Sequence, residues 1–117
     1  MITIIISRLI QQNGVKVLAS CYNDPTGNRG NDLFDGGFYY AELSTNPAAS
    51  KGWDYKALGG LPNNHKLKIT YKGMTIVATK GDVGRGGRNH PKIDLHETLS
   101  KALNFNGLDY VTVEGLP

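Results

Sequence analysis

Apolar and polar residues alternate along several stretches of this chain, as they do in β-strands with one buried face. The alternation is clearest in Val15–Tyr22 and His65–Tyr71. Lys72-Gly73 then forms a tight turn, and Met74–Thr79 predicts a strand that returns along the second stretch as a hairpin. A last strand is predicted over Asp109–Glu114.

The N-terminal stretch Ile2–Ile10 is rich in β-branched residues and predicts a further strand. Asn13-Gly14 follows it and is a strong hairpin-turn signal, so we expect this strand to pair with Val15–Tyr22. The stretch is too short for a membrane span, which needs about 20 residues. It also lacks the basic segment and small-residue cleavage site of a signal peptide.

Two long irregular stretches, 23–37 and 44–60, carry most of the turn-forming dipeptides. Between them, Phe38–Leu43 predicts either one or two helical turns or a short strand. Trp53 and Tyr55 lie in the second stretch. Their rings either cover the core or remain exposed for stacking on a sugar or a partner.

One short helix is predicted near the C-terminus, because four apolar residues recur at helical spacing. They are Leu95, Leu99, Ala102 and Leu103. Asp94 stands at the expected N-cap, with Glu97 three residues later as in a capping box. Asn104–Gly107 would end the helix. A glycine- and arginine-rich loop, Gly81–Lys92, leads into this helix.

The composition fits one β-rich domain over residues 1–117. Hydrophobic residues make up 39% of the chain, enough for one core, and 15 glycines and five prolines indicate many turns. The net charge of +3 favours an anionic partner such as a cell wall or nucleic acid. The basic residues are scattered, with only a loose cluster at Lys80, Arg85, Arg88 and Lys92, and we expect a cell-wall partner and no nucleic acid. Cys21 is the only cysteine, so an intrachain disulfide is excluded, and we expect its side chain to be buried.

The candidate chemistry rests on two aspartates. Asp94 is either a simple helix cap or a catalytic acid. A cap would have a lowered pKa, whereas an apolar setting would raise it. Asp82, at the predicted end of a strand, is either a turn former or a second polar group in a cleft. The spacing of His65, His90 and His96 does not favour a metal site, and no cofactor motif is present.

The order of the motifs resembles the double-psi β-barrel superfamily that includes rare lipoprotein A, the expansins and barwin. Ile93–His96 is similar to the family's (I/F)-D-L-S motif, with His96 in place of serine. Ala19–Tyr22 resembles its A-(S/T)-x-Y start, and Tyr40–Ser44 resembles its N-A-L-(S/T) segment. The resemblance covers about residues 15–113. It implies a mainly β fold, a six-stranded double-psi barrel with one or two short helices.

By this resemblance, Asp94 is the acid shared by expansins and barrel-type lytic transglycosylases, and Asp82 is the second candidate catalytic group. The substrate would be peptidoglycan or another cell-wall polysaccharide. Candidate substrate-binding residues are Ser20, Tyr22, Trp53, Tyr55, Arg85 and Arg88. The two arginines could pair with carboxylates of a peptide stem or with phosphates.

One departure concerns the segment A-H-x-x-L-P of lytic members. Here it reads Ala57–Pro62, with Leu58 in place of histidine. Two alternatives therefore stay open beside a lytic transglycosylase. One is an expansin-like domain that binds the cell wall without cleaving it, and the other is a structural or inhibitory barrel in a larger assembly such as a phage tail. We expect the protein to act at the cell wall after export or release, or to be associated with a virion.

Overall fold

The computed structural model describes residue 10 and residues 14–49 and 52–116. Six strands form a closed barrel in the order β1-β5-β2-β4-β3-β6, with β6 returning to β1. Their bounds are β1 Val15–Tyr22, β2 Tyr39–Leu43, β3 Lys66–Tyr71, β4 Met74–Gly84, β5 Ile93–His96 and β6 Leu108–Gly115. The described part of the chain also contains one short helix with named bounds, α1 Glu97–Ala102. The predicted mainly β, six-stranded barrel is thus confirmed.

Two of the six neighbouring pairs are parallel, β1 with β5 and β2 with β4, and the other four are antiparallel. Parallel neighbours need a long crossover connection, because a tight turn reverses the chain direction. Two parallel pairs in a six-stranded barrel are consistent with the double-psi topology. Closure leaves none of these six strands with a free edge.

The barrel interior is filled by alternate residues of the strands, as a period of two requires. Val17, Leu67, Ile69 and Leu95 are each 2% exposed or less. Tyr40 is fully buried, and its hydroxyl donates to the backbone carbonyl of His65 at 3.0 Å. The alternation that predicted β1 and β3 therefore reports burial on one face. Phe38–Leu43, which was open between helix and strand, contributes β2.

A buried ion pair joins β2, β4 and the segment 58–61. Glu42 is fully buried, and its carboxylate accepts bonds from the backbone N–H groups of Leu58, Gly60 and Leu61 at 2.8–2.9 Å. The Lys80 ammonium donates to the same carboxylate at 2.8 Å and to the Leu61 carbonyl at 2.6 Å. Four of these bonds hold the segment 58–61 against the barrel, and the fifth joins Lys80 of β4 to Glu42 of β2. We call the group the Glu42 clasp.

The predicted N-cap at Asp94 is wrong. Asp94 lies within β5, and helix α1 begins at Glu97 with His96 as its N-cap and no side-chain capping bond. The physical reason is strand pairing, because the backbone around Asp94 pairs with β1 on one side and β2 on the other. Leu95 consequently belongs to a strand and not to the helical face, while Leu99 and Leu103 do pack into the core.

The predicted strand Ile2–Ile10 and most of its turn lie outside the described residues. Ile10 is described, and there the strand prediction is wrong, because this residue is helical. Its side chain is fully buried in the core cluster. No helix in the described part of the chain is long and apolar enough to cross a membrane.

Candidate acidic groove on the barrel wall

Four neighbouring strands place one row of residues across the outside of the barrel. The Cα pairing runs from Ser20 to Asp94, from Asp94 to Ala41, and from Ala41 to Asp82. Residues directly opposite each other in neighbouring strands share a face of the sheet. The two candidate carboxylates, 12 residues apart in sequence, therefore lie on one face, with the small Ala41 between them.

A bulge in β4 is what turns Asp82 toward this row. Tyr40 pairs with Lys80 and Ala41 pairs with Asp82, so Gly81 is an extra residue in β4. Without the bulge, strict alternation would place Asp82 on the same face as Lys80, toward the interior. A β-bulge inserts one residue and re-aims the side chains that follow it. The predicted loop start at Gly81 is accordingly wrong, because β4 continues to Gly84.

Asp94 is the strongly perturbed acid of the row. Burial raises the pKa of its carboxyl to about 6, and the negative charges of Asp24 and Asp82 act in the same direction. The Ser20 hydroxyl donates to Asp94 Oδ1 at 3.1 Å, which lowers the pKa but does not offset the burial. A carboxyl with this pKa carries its proton in part of the molecules near neutral pH, as a general acid must.

Asp82 is more deeply buried than a typical aspartate, with 8% of its surface exposed. Burial raises the pKa of this carboxyl as well, while two backbone bonds to its Oδ1 lower it. These bonds come from the N–H groups of Asn28, at 2.9 Å, and Val83, at 2.8 Å. The first ties the loop 23–37 to β4. Asp82 is therefore anchored, and its charge helps to keep the proton on Asp94.

Tyr22 lies beside both carboxylates. Burial, followed by the negative charges of Asp82, Asp94 and Asp24, raises the pKa of its hydroxyl far above the usual value. The hydroxyl is buried, and although Asp82 is close, no group in the described part of the chain reaches hydrogen-bond geometry with it. The hydroxyl is thus enclosed beside the two acids, and Tyr22 is not part of the lining of the groove that leads to Asp94.

An open groove of about 350 Å³ leads to Asp94 from the surface. Besides Asp94 it is lined by Ser20, Leu43, Gly84, Arg85, Gly86, Gly87, Arg88 and Pro91. The wall formed by residues 85–91 contains a turn in which the His90 N–H donates to the Gly87 carbonyl at 3.1 Å. The predicted residues Ser20, Asp94, Arg85 and Arg88 thus line one groove.

Trp53 reaches the rim of this groove through Arg85. The Arg85 guanidinium lies 5.5 Å from the centroid of the Trp53 ring, a cation–π distance. The indole N–H donates to the Pro47 carbonyl at 3.2 Å. Tyr55 does not line the groove; it is half-buried with a φ of 53°, and its N–H donates to Ser44 Oγ at 3.4 Å. Neither ring belongs to the barrel core.

The remaining predicted features lie outside the groove. Cys21 is exposed, so the prediction of a buried thiol is wrong. The pairing of β1 with β6 ends at Ser20, and β6 no longer covers the chain at the next residue. In the described part of the chain no group of three or more His, Cys, Asp or Glu side chains could hold a metal ion.

Three residues near the site were missed by sequence reasoning. Asp24 adds negative charge beside Asp94 and Asp82. Its backbone carbonyl lies 2.7 Å from Nε2 of the buried His96, whose ring contacts Tyr22 and Phe34 edge to face. Asp24 and Phe34 sit in a loop rich in turn residues, where no local signal separates a site residue from a turn former. Ala41 could be found only from the strand pairing.

The fold places this protein in a broad structural class, the small, mainly β proteins built on a closed six-stranded barrel. Within that class the structure is similar to the Streptomyces papain inhibitor, with a TM-score of 0.60 and 18% sequence identity. The match covers 92% of this chain and 97% of that protein, and at this identity it concerns the fold alone. No protein-family model and no curated protein matches the sequence.

Proposed function

We propose that this barrel cleaves a glycosidic bond in a cell-wall glycan, with Asp94 as the general acid. The observation that carries the proposal is a carboxyl with a pKa of about 6 lining an open groove. General acid catalysis needs a proton held near the working pH and delivered to the leaving oxygen. Burial of Asp94 supplies the first requirement, and its place in the groove wall supports the second.

The proposed reaction resembles that of lytic transglycosylases. Asp94 donates its proton to the glycosidic oxygen, and the bond between that oxygen and the anomeric carbon breaks. The 6-hydroxyl of the N-acetylmuramoyl residue then attacks the anomeric carbon and returns its proton to the Asp94 carboxylate, leaving an anhydro sugar. This route uses one acid, whereas hydrolysis ordinarily needs two carboxylates.

The neighbouring groups have supporting roles in this proposal. Ser20 orients the Asp94 carboxyl through its hydrogen bond. Asp82 raises the pKa of Asp94 by its charge and does not itself transfer a proton. Arg85 and Arg88 bind carboxylates of the peptide stems, because guanidinium groups form paired bonds with carboxylates. Leu58, which replaces the family's histidine, is fully buried and lies outside the groove lining.

The test is release of soluble muropeptides from purified peptidoglycan. We expect the wild-type protein to release anhydro products and the Asp94→Asn variant to lose about a hundredfold or more of the rate, because the proton donor is gone. Glu114→Gln is the matched control, since it removes a carboxylate on β6 outside the groove. Equal release by Asp94→Asn and wild type would refute the role of Asp94. Binding to the wall without release by wild type would favour the non-catalytic, expansin-like alternative.

A second candidate function is inhibition of a cysteine protease, favoured by the structural similarity to the Streptomyces papain inhibitor over 92% of this chain. In this case Asp94 has no chemical role. Residual papain activity measured with an excess of the protein decides between the two. Inhibition that persists in the Asp94→Asn variant, without muropeptide release by wild type, would replace the glycan proposal.

A further inference from the structure

The outer face of the β1–β6 pair connects the acidic groove with a second cavity. Three cross-strand pairs lie along it, namely Ser20 with Leu108, Leu18 with Tyr110, and Lys16 with Thr112. The alternate residues Val17, Ala19, Val111 and Val113 are buried in the core. The three pairs therefore face outward, and we call the surface that they form the β1–β6 track.

The track begins at the groove and is apolar in its first half. Ser20 lines the groove and donates to Asp94, and Leu108 stands directly opposite it. Leu108 is 44% exposed and Tyr110 is 54% exposed. A single exposed apolar side chain needs no explanation. Two of them in succession on one strand, leading away from a groove, form a surface on which a sugar ring can stack.

The far end of the track is a cavity of about 420 Å³ with two ammonium groups. Lys16, Lys72, Tyr110 and Thr112 contribute to its lining. Neither lysine forms an ion pair with another described residue. The carboxylate in this cavity, Asp109, is occupied by the Tyr71 hydroxyl and the Tyr110 N–H at 2.9 and 2.8 Å. The charge of Lys72 lowers the pKa of Asp109, and its ammonium also lies 5.3 Å from the centroid of the Tyr71 ring. With two ammonium groups and one carboxylate, the cavity offers a net positive charge and a threonine hydroxyl to a ligand.

The length of the track fits a polymer. Lys16 and Ser20 are four residues apart on one strand, which corresponds to about 13 Å at about 3.3 Å per residue. A ligand spanning the track must be extended, able to stack on an aromatic ring and negatively charged at one end. A glycan strand that carries carboxylates has all three properties.

We propose that the β1–β6 track binds the continuation of the glycan strand whose scissile bond lies at Asp94, with a carboxylate of that strand between Lys16 and Lys72. This inference rests on the proposed function for the identity of the polymer. The track would retain the protein on a long strand, because each contact outside the groove adds binding energy that a short fragment cannot supply.

The experiment compares long and short ligands. Binding is measured by sedimentation with purified, insoluble peptidoglycan and by calorimetry with a peptidoglycan tetrasaccharide that carries its peptide stems. We expect Tyr110→Ala and Lys16→Glu each to weaken retention on the insoluble polymer about fivefold to tenfold, equivalent to about 1–1.4 kcal/mol. The loss on the tetrasaccharide is smaller, so the ratio of the two affinities falls.

Matched controls are Val77→Ala and Lys66→Glu, which make the same kinds of change on β3 and β4, away from the track. Thermal unfolding of each variant separates lost binding from lost folding. Equal retention of the track variants and the controls would overturn the proposal that the β1–β6 track binds the glycan strand, even if the wild-type protein cleaves the polymer. If the wild-type protein is retained on the polymer but does not cleave it, the catalytic proposal fails. The retention of the track variants relative to the controls then still tests binding at the β1–β6 track. If wild type is not retained at all, both proposals fail.

Discussion

At the scale of single residues, the burial of one carboxyl sets the properties of the site. Asp94 is enclosed by the barrel wall, and its pKa of about 6 lies above the ordinary value of 3.8. The folded protein therefore binds a proton more tightly at this position than the unfolded chain does. By linkage, the stability associated with this group is fully present below about pH 4 and is lost as the pH rises through about 6.

This linkage predicts that Asp94→Asn stabilises the protein at neutral pH. The amide keeps an acceptor for Ser20 but cannot ionise, so the variant avoids the cost of a buried charge. We expect a gain on the order of 3 kcal/mol at pH 7, from a shift of about two pKa units, and none at pH 3. Urea unfolding of both proteins at a series of pH values measures the difference. A gap that does not change between pH 3 and 7 would contradict the raised pKa.

A second prediction concerns the hydrogen bond that Ser20 donates to Asp94 and its effect on the pKa of that carboxyl. It lowers the pKa of Asp94, so its removal in Ser20→Ala should raise that pKa further. The alkaline limb of the pH–rate profile, where the protonated form of Asp94 is lost, moves to higher pH with it. Titration of the Asp94 carboxyl carbon by NMR gives the shift without requiring activity. Ser100→Ala, which removes a buried hydroxyl in helix α1, is the control. A pKa in Ser20→Ala that is unchanged or lower would show that the bond does not stabilise the ionised form.

At the scale of elements, two loops are held to the barrel by polar contacts, one set buried and the other partly buried. The Glu42 clasp fixes the segment 58–61, and the loop 23–37 is fixed at the bulge of β4. Asn31 Nδ2 donates to the Gly81 carbonyl at 2.9 Å, next to the bond between Asn28 and Asp82. Glu42 and Lys80 are buried, so water does not replace a lost partner in the clasp, whereas the bonds of the loop 23–37 are partly exposed. The clasp is therefore the more sensitive of the two attachments to single changes.

Breaking the Glu42 clasp should be among the most destabilising single changes. Glu42→Ala leaves a buried ammonium and three backbone N–H groups without their carboxylate, which corresponds to about 3–5 kcal/mol. Glu42→Gln keeps part of the bonding and gives an intermediate loss. Urea midpoints measure both. Glu97→Ala, which removes one member of the exposed pair with Lys101, should leave the midpoint nearly unchanged. Similar midpoints for Glu42→Ala and Glu97→Ala would show that the clasp contributes little.

The attachment of loop 23–37 depends on the absence of a side chain at Gly27. A Cβ there would lie 2.0 Å from the Gly81 carbonyl oxygen, and backbone must move to admit it. We expect Gly27→Ala to destabilise the protein by about 1–3 kcal/mol and to raise the pKa of Asp82 as the bond from Asn28 lengthens. Gly87→Ala is the control, because nothing lies within 4 Å of its Cβ position. Thermal unfolding and the amide shift of Asn28 report the two effects; equal stability of both variants would contradict the close contact.

At the scale of the whole molecule, the barrel was predictable where the signal was local. Alternation predicted β1 and β3, since one face of each strand is buried, and the Lys72-Gly73 turn predicted the return of the chain as β4. The closed barrel was predicted from the order of the short motifs. The same local signals misplaced Asp94, because a capping box is read from four neighbouring residues. Its strand partners Ser20 and Ala41 lie 74 and 53 positions away in sequence.

Candidate residues of the site could be named from the sequence, but their arrangement in space could not be predicted. Ser20, Asp94, Arg85 and Arg88 do share a groove, but the bulge that turns Asp82 toward them has no sequence signal beyond one glycine. Tyr55 and Cys21 lie elsewhere, because a loop conformation and the end of a strand pairing decide their positions. The positions of Ser20, Asp94 and Asp82 are determined by pairing between parallel strands that are distant in sequence. The periodicity of apolar residues does not predict that pairing.

The position of β1 in the barrel has a consequence for biosynthesis. β1 is the first of the six strands to leave the ribosome, yet both of its neighbours, β5 and β6, lie in the last quarter of the chain. At about 5–20 residues per second, β1 waits for seconds with both edges open while the hairpin of β3 and β4 can already pair. Ser20 and Asp94 can meet only after β5 has been synthesised. A nascent chain therefore carries an unpaired strand that chaperones can bind, and it acquires the groove last.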